Sequence, residues 1–318
     1  MSRRKKVEAL DPQVAQYLKA VRSRPPAYLL SVEELRRDID QIKKYYPPEP
    51  VKNIKDILIN GPDGKIAIRI YTPGGKGPFT PVVFYHGGGW SIGSLNSHEG
   101  ICASLANKAK AAVFSVNYRL APEDPFPAAV DDCYAALEYV NDNAASFNAD
   151  PGRMIVMGDS AGGNLAAVVS MKAKEEGGPK IALQVLVYPA TNMKDLVTSS
   201  YKRFGKGYDL DKKMIAKFRD LYILNKKDIV DPRASPFFAK DLKGLPPTLL
   251  ITAECDPLRD DGKKFASKLK KAGVPVKYIM YKGVIHGFLS FTTFHVAQKA
   301  LSEIARTLGI FSKRRIRA

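Results

Sequence analysis

The chain has 318 residues, of which 45% are hydrophobic and 26% charged. This is the ordinary composition of a globular protein, and it excludes a disordered or fibrous chain. The length allows one large α/β domain or two ordinary ones, and no uninterrupted apolar run approaches the ~18 residues of a membrane helix.

The formal net charge is +18, from 50 Lys and Arg against 32 Asp and Glu. Such an excess can serve nucleic acid or an anionic surface. Here the basic residues are spread along the chain, with small clusters at its ends: Arg3, Arg4, Lys5 and Lys6, then Lys313, Arg314, Arg315 and Arg317. No zinc-finger, RNP or KH signature accompanies them, so no nucleic-acid partner is expected. Nor does an apolar stretch follow the basic start MSRRKKVEALDPQ, which argues against a secretory signal and for the cytoplasm. Cys102, Cys133 and Cys255 are odd in number and lack CxxC spacing. That pattern points to small buried hydrophobes, with one disulfide left open, rather than a disulfide framework or a zinc site.

In chain order, the first ~50 residues read as helix, turn, helix. Asp11 with Pro12 starts a helix whose apolar face is Val14, Tyr17, Leu18 and Val21. Ser31 and Glu34 have the spacing of a capping box, Leu35, Ile39 and Ile42 continue the second helix, and Pro47 and Pro48 stop it. Two strand-like runs on either side of GPDG then read as an antiparallel hairpin. Beyond them, strands at 82–86, 111–118, 153–159, 182–189, 248–254 and 276–281 alternate with helical stretches. Such alternation predicts a parallel sheet covered on both faces. The helix-rich stretch at about 191–235 breaks the rhythm, and it is too long for a connecting loop. It reads as an insertion above the sheet.

Residues 158–162 read GDSAG, a G-x-S-x-G pattern. Alone it recurs by chance in about one chain in ten of this length. Its context is specific: RMIVM before it is a strand run, and NLAAVVSMKAK after it is helical. A serine at such an elbow sits at the tip of a sharp turn, beside the free N–H groups of a new helix. Ser160 is therefore the candidate nucleophile.

A serine hydroxyl needs a base. Of the four histidines, His86 and His98 precede the serine and His295 falls in a predicted helix. His286, in GVIHGF after a strand, is the candidate. The chain order nucleophile, acid, histidine then asks for a carboxylate between 160 and 286. Glu254, Asp256, Asp260 and Asp261 follow one strand. Asp256 is preferred because Asp-Pro turns the chain immediately beyond the strand end.

The run HGGGW, residues 86–90, follows a strand and precedes the elbow. A tetrahedral oxyanion needs preset donors, and glycines let backbone N–H groups come close. Gly88, Gly89 and Ala161 are expected to supply them, with His86 and Gly87 in the loop that shapes the hole. A phosphate loop would need GK[ST] or a dinucleotide fingerprint, and neither follows. The spacing of His86 and His98 suits no standard metal pair, so no metal is expected.

HGGGW, GDSAGGN, DPLRD and HGF, in this order, resemble the hormone-sensitive lipase family of α/β-hydrolases. YRLAPEDPFPAA and DPRASP extend the resemblance over about residues 50–310. It implies an α/β-hydrolase fold with an eight-stranded, mostly parallel sheet flanked by helices. A catalytic domain would span 51–318, with a helical cap from residues 1–50 and an insertion at about 191–230. It also implies hydrolysis of short- to medium-chain acyl esters without a cofactor, and a homodimer paired through the sheet edge. Tyr208, in FGKGY, would face the acyl pocket or sit in the cap's own core. Two other readings stay open. Arylacetamide deacetylases resemble this family and would use the same residues on amides. Plant gibberellin receptors resemble it as non-catalytic binders, but they lack the histidine that stands here as His286.

Overall fold

The computed structural model describes residues 9–312, so the basic clusters at 3–6 and 313–317 lie outside the described residues. The chain opens with helices α1 (Pro12–Val21), α2 (Val32–Asp40) and α3 (Ile42–Tyr45). Asp11 caps α1, accepting from the N–H groups of Gln13 and Val14, and Ser31 with Glu34 closes both bonds of a capping box on α2. The second helix breaks at Gln41 rather than running on to the prolines.

The hairpin follows as β1 (Asn53–Gly61) and β2 (Gly64–Thr72). The alternating part is β3 (Thr80–Tyr85), α4 (Glu99–Ala109), β4 (Ala111–Asn117), α5 (Ala128–Asn143), β5 (Ile155–Asp159), α6 (Ala161–Glu175) and β6 (Leu183–Val187). Two helices, α7 (Ser199–Phe204) and α8 (Lys212–Tyr222), interrupt it. It resumes with β7 (Thr248–Cys255), α9 (Arg259–Lys271), β8 (Val276–Ile285) and α10 (His295–Ser312).

One eight-stranded sheet runs in the order β1-β2-β4-β3-β5-β6-β7-β8. The β1–β2 and β2–β4 pairs are antiparallel and the rest are parallel. Every residue of β3, β5 and β6 is buried, as the unbroken Val, Ile and Leu runs require of strands covered on both faces. Alternate side chains feed two cores. Val83, Tyr85, Val156 and Leu186 pack with α5, α6 and α9, while Val82, Phe84, Ile155 and Val185 pack with α4 and α10. The strand order reverses between β3 and β5, and such a switch point opens a crevice at the carboxyl ends of the strands.

Strand β8 runs four residues beyond its sequence reading. Ala253 pairs with Tyr281 but Cys255 pairs with Ile285, so β8 bulges around Gly283, whose φ is +67°. Glycine in the run reads locally as a stop, whereas here it makes a bulge. The three cysteines are buried and unpaired. Among the described residues no helix is long and apolar enough to cross a membrane.

Candidate active site

The crevice is furnished by loops that follow β3, β5, β7 and β8. After β5 the chain turns into α6 at Ser160, whose φ of +54° and ψ of −117° are strained for a residue with a side chain. The turn is held by Ser160 N–H donating to Val187 C=O at 2.8 Å. It also requires α6 to press on the end of β3. A Cβ on Gly162 would lie 1.9 Å from the Tyr85 carbonyl oxygen, so only glycine fits.

His286 follows β8 directly and stands between two partners. Its Nε2 is 2.8 Å from Ser160 Oγ and its Nδ1 is 2.8 Å from Asp256 Oδ2. Asp256 is fully buried just beyond β7, and its other oxygen accepts the Leu258 N–H at 2.7 Å. A carboxylate can only accept, so Nδ1 carries the proton and Nε2 is free to accept from the serine hydroxyl. Burial pushes the His286 pKa down, but the charges of Asp256, Asp159 and Asp209 and the Asp256 hydrogen bond outweigh it, and the net shift is upward.

The other carboxylates of the ECDPLRDD segment, residues 254–261, are engaged elsewhere or isolated. Glu254 Oε2 accepts the Gly283 N–H in the β8 bulge. Asp260 accepts the Ser200 N–H at the start of α7 and pairs with Arg259. Asp261 is buried with no hydrogen-bond partner on either oxygen among the described residues, and desolvation raises its pKa to about 7.

Facing the elbow is the loop after β3. The N–H groups of Gly88 and Gly89 donate to no protein acceptor among the described residues, and Ala161 N–H lies in the first turn of α6, free of intrahelical bonds. Gly88 and Gly89 have φ of +120° and +58°. A Cβ on Gly88 would meet the Ile92 carbonyl oxygen at 2.1 Å, and one on Gly89 would meet the Phe218 ring of α8 at 2.2 Å. The third glycine differs: Gly87 N–H is already taken, donating to Asp159 Oδ1 at 2.9 Å. His86 is fully buried and stacks on Tyr118 with ring centroids 4.3 Å apart. Burial, then the neighbouring His98, pushes its pKa down to about 3, so it is a neutral spacer inside the loop.

Sequence reasoning missed the brace behind this loop. Asp159, a variable position within the elbow pattern, and His98, set aside for preceding the serine, meet at 3.3 Å. The helices at the chain's start and in the insertion meet one another over the same loop. Val32, Leu35, Ile92, Met214 and Phe218 form a separate apolar cluster. Arg36 of α2 donates to the carbonyls of Ser91 and Ala121 and forks onto Glu123, and Trp90 stacks on Tyr222 of α8 with ring centroids 4.6 Å apart.

Between these helices and the elbow lies a cavity of about 250 Å³ that reaches Gly87, Gly88, Gly89, Ser160, Ala161 and His286. Tyr208 does not line it. Its ring packs edge-on against Phe204, 5.1 Å between centroids, and the next residues, Asp209 and Leu210, face the cavity instead.

Fold and site together are those of an α/β-hydrolase. The family model for the alpha/beta hydrolase fold matches residues 82–290. The chain is 44% identical over 249 residues to the carboxylic ester hydrolase LipN of Mycobacterium tuberculosis, covering 76% of this chain and 66% of LipN. It is 42% identical over 269 residues to the carboxylesterase NlhH of the same organism, covering 82% and 83% of the two chains. A hyperthermophilic esterase from the archaeon Pyrobaculum calidifontis superposes with a TM-score of 0.91 at 39% identity, over 96% of this chain and 100% of that one. The chain belongs to the alpha/beta-hydrolase fold family, in its hormone-sensitive-lipase-like group.

Proposed function

We propose that the protein is a serine carboxylesterase acting on short- to medium-chain acyl esters. The observation that carries this reading is the linear array Asp256–His286–Ser160, with 2.8 Å at each link, opening on a cavity beside unpaired backbone N–H groups.

The chemistry follows from that arrangement. Ser160 Oγ attacks the ester carbonyl carbon as His286 Nε2 takes its proton. The carbonyl oxygen becomes an oxyanion that the N–H groups of Gly88, Gly89 and Ala161 receive. Asp256 holds the imidazole in its productive tautomer and stabilises the imidazolium. The imidazolium then protonates the leaving alkoxide, and water hydrolyses the acyl-enzyme by the same route.

In this reading α1, α2, α3, α7 and α8 form the cap. Leu35, Ile39, Met214 and Phe218 give the cavity an apolar wall suited to acyl chains. Its volume of about 250 Å³ lies below the range of roughly 300–1,000 Å³ that holds drug-sized ligands, which favours the short end of the chain-length range.

The test is release of p-nitrophenol from acyl esters of increasing length by wild type and Ser160→Ala. Turnover of short chains by wild type alone is the expected result. Equal rates from both proteins would sink the reading.

A further inference from the structure

The loop between α7 and α8 contains a turn that ester hydrolysis as described does not use. Tyr208 C=O accepts the Leu210 N–H at 3.0 Å, and Asp209 between them has φ +71°. A bond from i to i+2 around a positive φ is the rarer, strained form of γ-turn. Strain of this kind persists where the surrounding structure enforces it, and it clusters at ligand contacts. Here the turn brings Asp209 to the wall of the cavity that holds Ser160 and His286.

The cavity is otherwise largely apolar, with Leu35, Ile39, Leu210 and Met214 among its lining residues. The cavity's other carboxylate, Asp159, is occupied by Gly87 and His98. Asp209 is held at one oxygen only: Oδ2 accepts from Tyr17 Oη at 3.2 Å, and no protein donor reaches Oδ1 among the described residues. Asp209 is solvent-exposed where it meets the cavity, and the protein packed around it still raises its pKa by desolvation, partly offset by the Tyr17 bond and the charges of His286 and Arg24. A carboxylate accepts and cannot donate, so its complement is a cation or a donor. Charges attract more strongly beside a low-dielectric wall than in bulk water.

We propose that Asp209 is a specificity residue that favours ester substrates carrying a positively charged group. This rests on the esterase reading above and narrows its substrate class. The chain's net charge of +18 repels cations at a distance, so the preference is made locally, at the cavity wall.

The test uses two pairs of isosteric esters at pH 8. Acetylcholine and 3,3-dimethylbutyl acetate differ in charge on the alcohol side. The p-nitrophenyl esters of 4-(trimethylammonio)butanoate and 5,5-dimethylhexanoate differ on the acyl side. The readout is the kcat/KM ratio, cationic over neutral, within each variant. In Asp209→Asn, which keeps the size and tolerates a positive φ, that ratio falls at least tenfold for one pair. In Tyr17→Phe, which removes the hydrogen bond from α1 to Asp209 but keeps the carboxylate, the ratio holds. An unchanged ratio in Asp209→Asn for both pairs overturns the proposal, as does an equal fall in Tyr17→Phe. Both of those results leave hydrolysis of the neutral esters by wild type standing. Failure of wild type to hydrolyse any of the four esters removes the esterase reading itself, and this proposal with it.

Discussion

Asp159 Oδ1 accepts the Gly87 N–H at 2.9 Å, which joins the residue before Ser160 to the loop that faces it. His98 Nε2 lies 3.3 Å from the same oxygen, and Ser97 Oγ holds the far side of that ring at 2.9 Å from Nδ1. Asp159, His98 and Ser97 are all buried. The elbow and the glycine loop are thus set against each other by hydrogen bonds in a low-dielectric interior. Burial would raise the Asp159 pKa, but His98 and the Gly87 N–H hold it below the usual range. Asp159→Ala removes the carboxylate that accepts the Gly87 N–H and leaves only His98 Nε2, 3.2 Å from that N–H, beside it. Its kcat is expected to fall about 10- to 100-fold, less than the roughly 10²–10³ for deleting a donor outright. An unchanged kcat would show that packing alone positions the loop.

Asp256→Asn keeps the shape of the site and reverses one bond. The amide oxygen can still accept the Leu258 N–H, which turns the amide NH₂ toward His286 Nδ1. That favours the tautomer with its proton on Nε2, where the serine proton must go. The expected loss in kcat is about 10³–10⁴, with circular dichroism and melting unchanged. Near-normal turnover would remove Asp256 from the role and reopen it for Glu254 or Asp260.

The raised His286 pKa makes a prediction about pH. In the proposed mechanism the His286 base works only when neutral, so activity is lost as pH falls through its pKa. Its carboxylate neighbours lift that pKa, so the acid limb of kcat/KM has its midpoint above the ordinary imidazole value of about 6.5. Asp209→Asn removes one of the lifting charges and moves the limb to lower pH. A pH–rate profile that does not move would show that Asp209 is screened from the imidazole.

The sheet and the site differ in how far the sequence reveals them. The strands of continuous Val, Ile and Leu declare double-sided burial by composition, and the Asp11 and Ser31 caps declare their helices by spacing. Ser160 and the glycine loop are legible because each demands a particular backbone, and that demand restricts the residue types. The His98–Asp159 brace is not legible. Its partners lie 61 residues apart and meet only because β3 and β5 are neighbours in the sheet. Asp209 is hidden for another reason: nothing in KGYDLD announces that the turn rotates Asp209, rather than Tyr208, toward the cavity.

Asp261 is predicted to be a stability liability with a definite sign. It is 1% exposed, neither oxygen has a hydrogen-bond partner among the described residues, and desolvation lifts its pKa from 3.8 to about 7. The folded state therefore favours the protonated acid. Above pH 7 ionisation works against folding, and that penalty fades as pH falls toward the unfolded value near 4. Asp261→Asn is expected to raise Tm by several degrees at pH 8 and by progressively less toward pH 5, followed by thermal melts across that range. A gain that is absent at pH 8, or the same at both ends, would contradict this account.

Gly88 and Gly89, the proposed oxyanion donors, should fail for different reasons when given a methyl group. At Gly89 the new Cβ meets a side chain, the Phe218 ring, 2.2 Å away. At Gly88 it meets backbone, the Ile92 carbonyl oxygen, 2.1 Å away. A side chain can be cut back and a carbonyl cannot. Both Gly88→Ala and Gly89→Ala are expected to lower kcat by about 10² or more, the scale of losing a positioned donor. Adding Phe218→Ala should then restore part of the activity of Gly89→Ala, leaving only the strain of φ +58° on an alanine. The same change should not help Gly88→Ala. A double-mutant cycle reads this difference directly, because the coupling energy belongs to the pair in contact. Coupling of Phe218 to Gly89 alone would show that α8 sets the position of the loop through that single contact, while equal coupling to both glycines would mean that the loop and helix shift together.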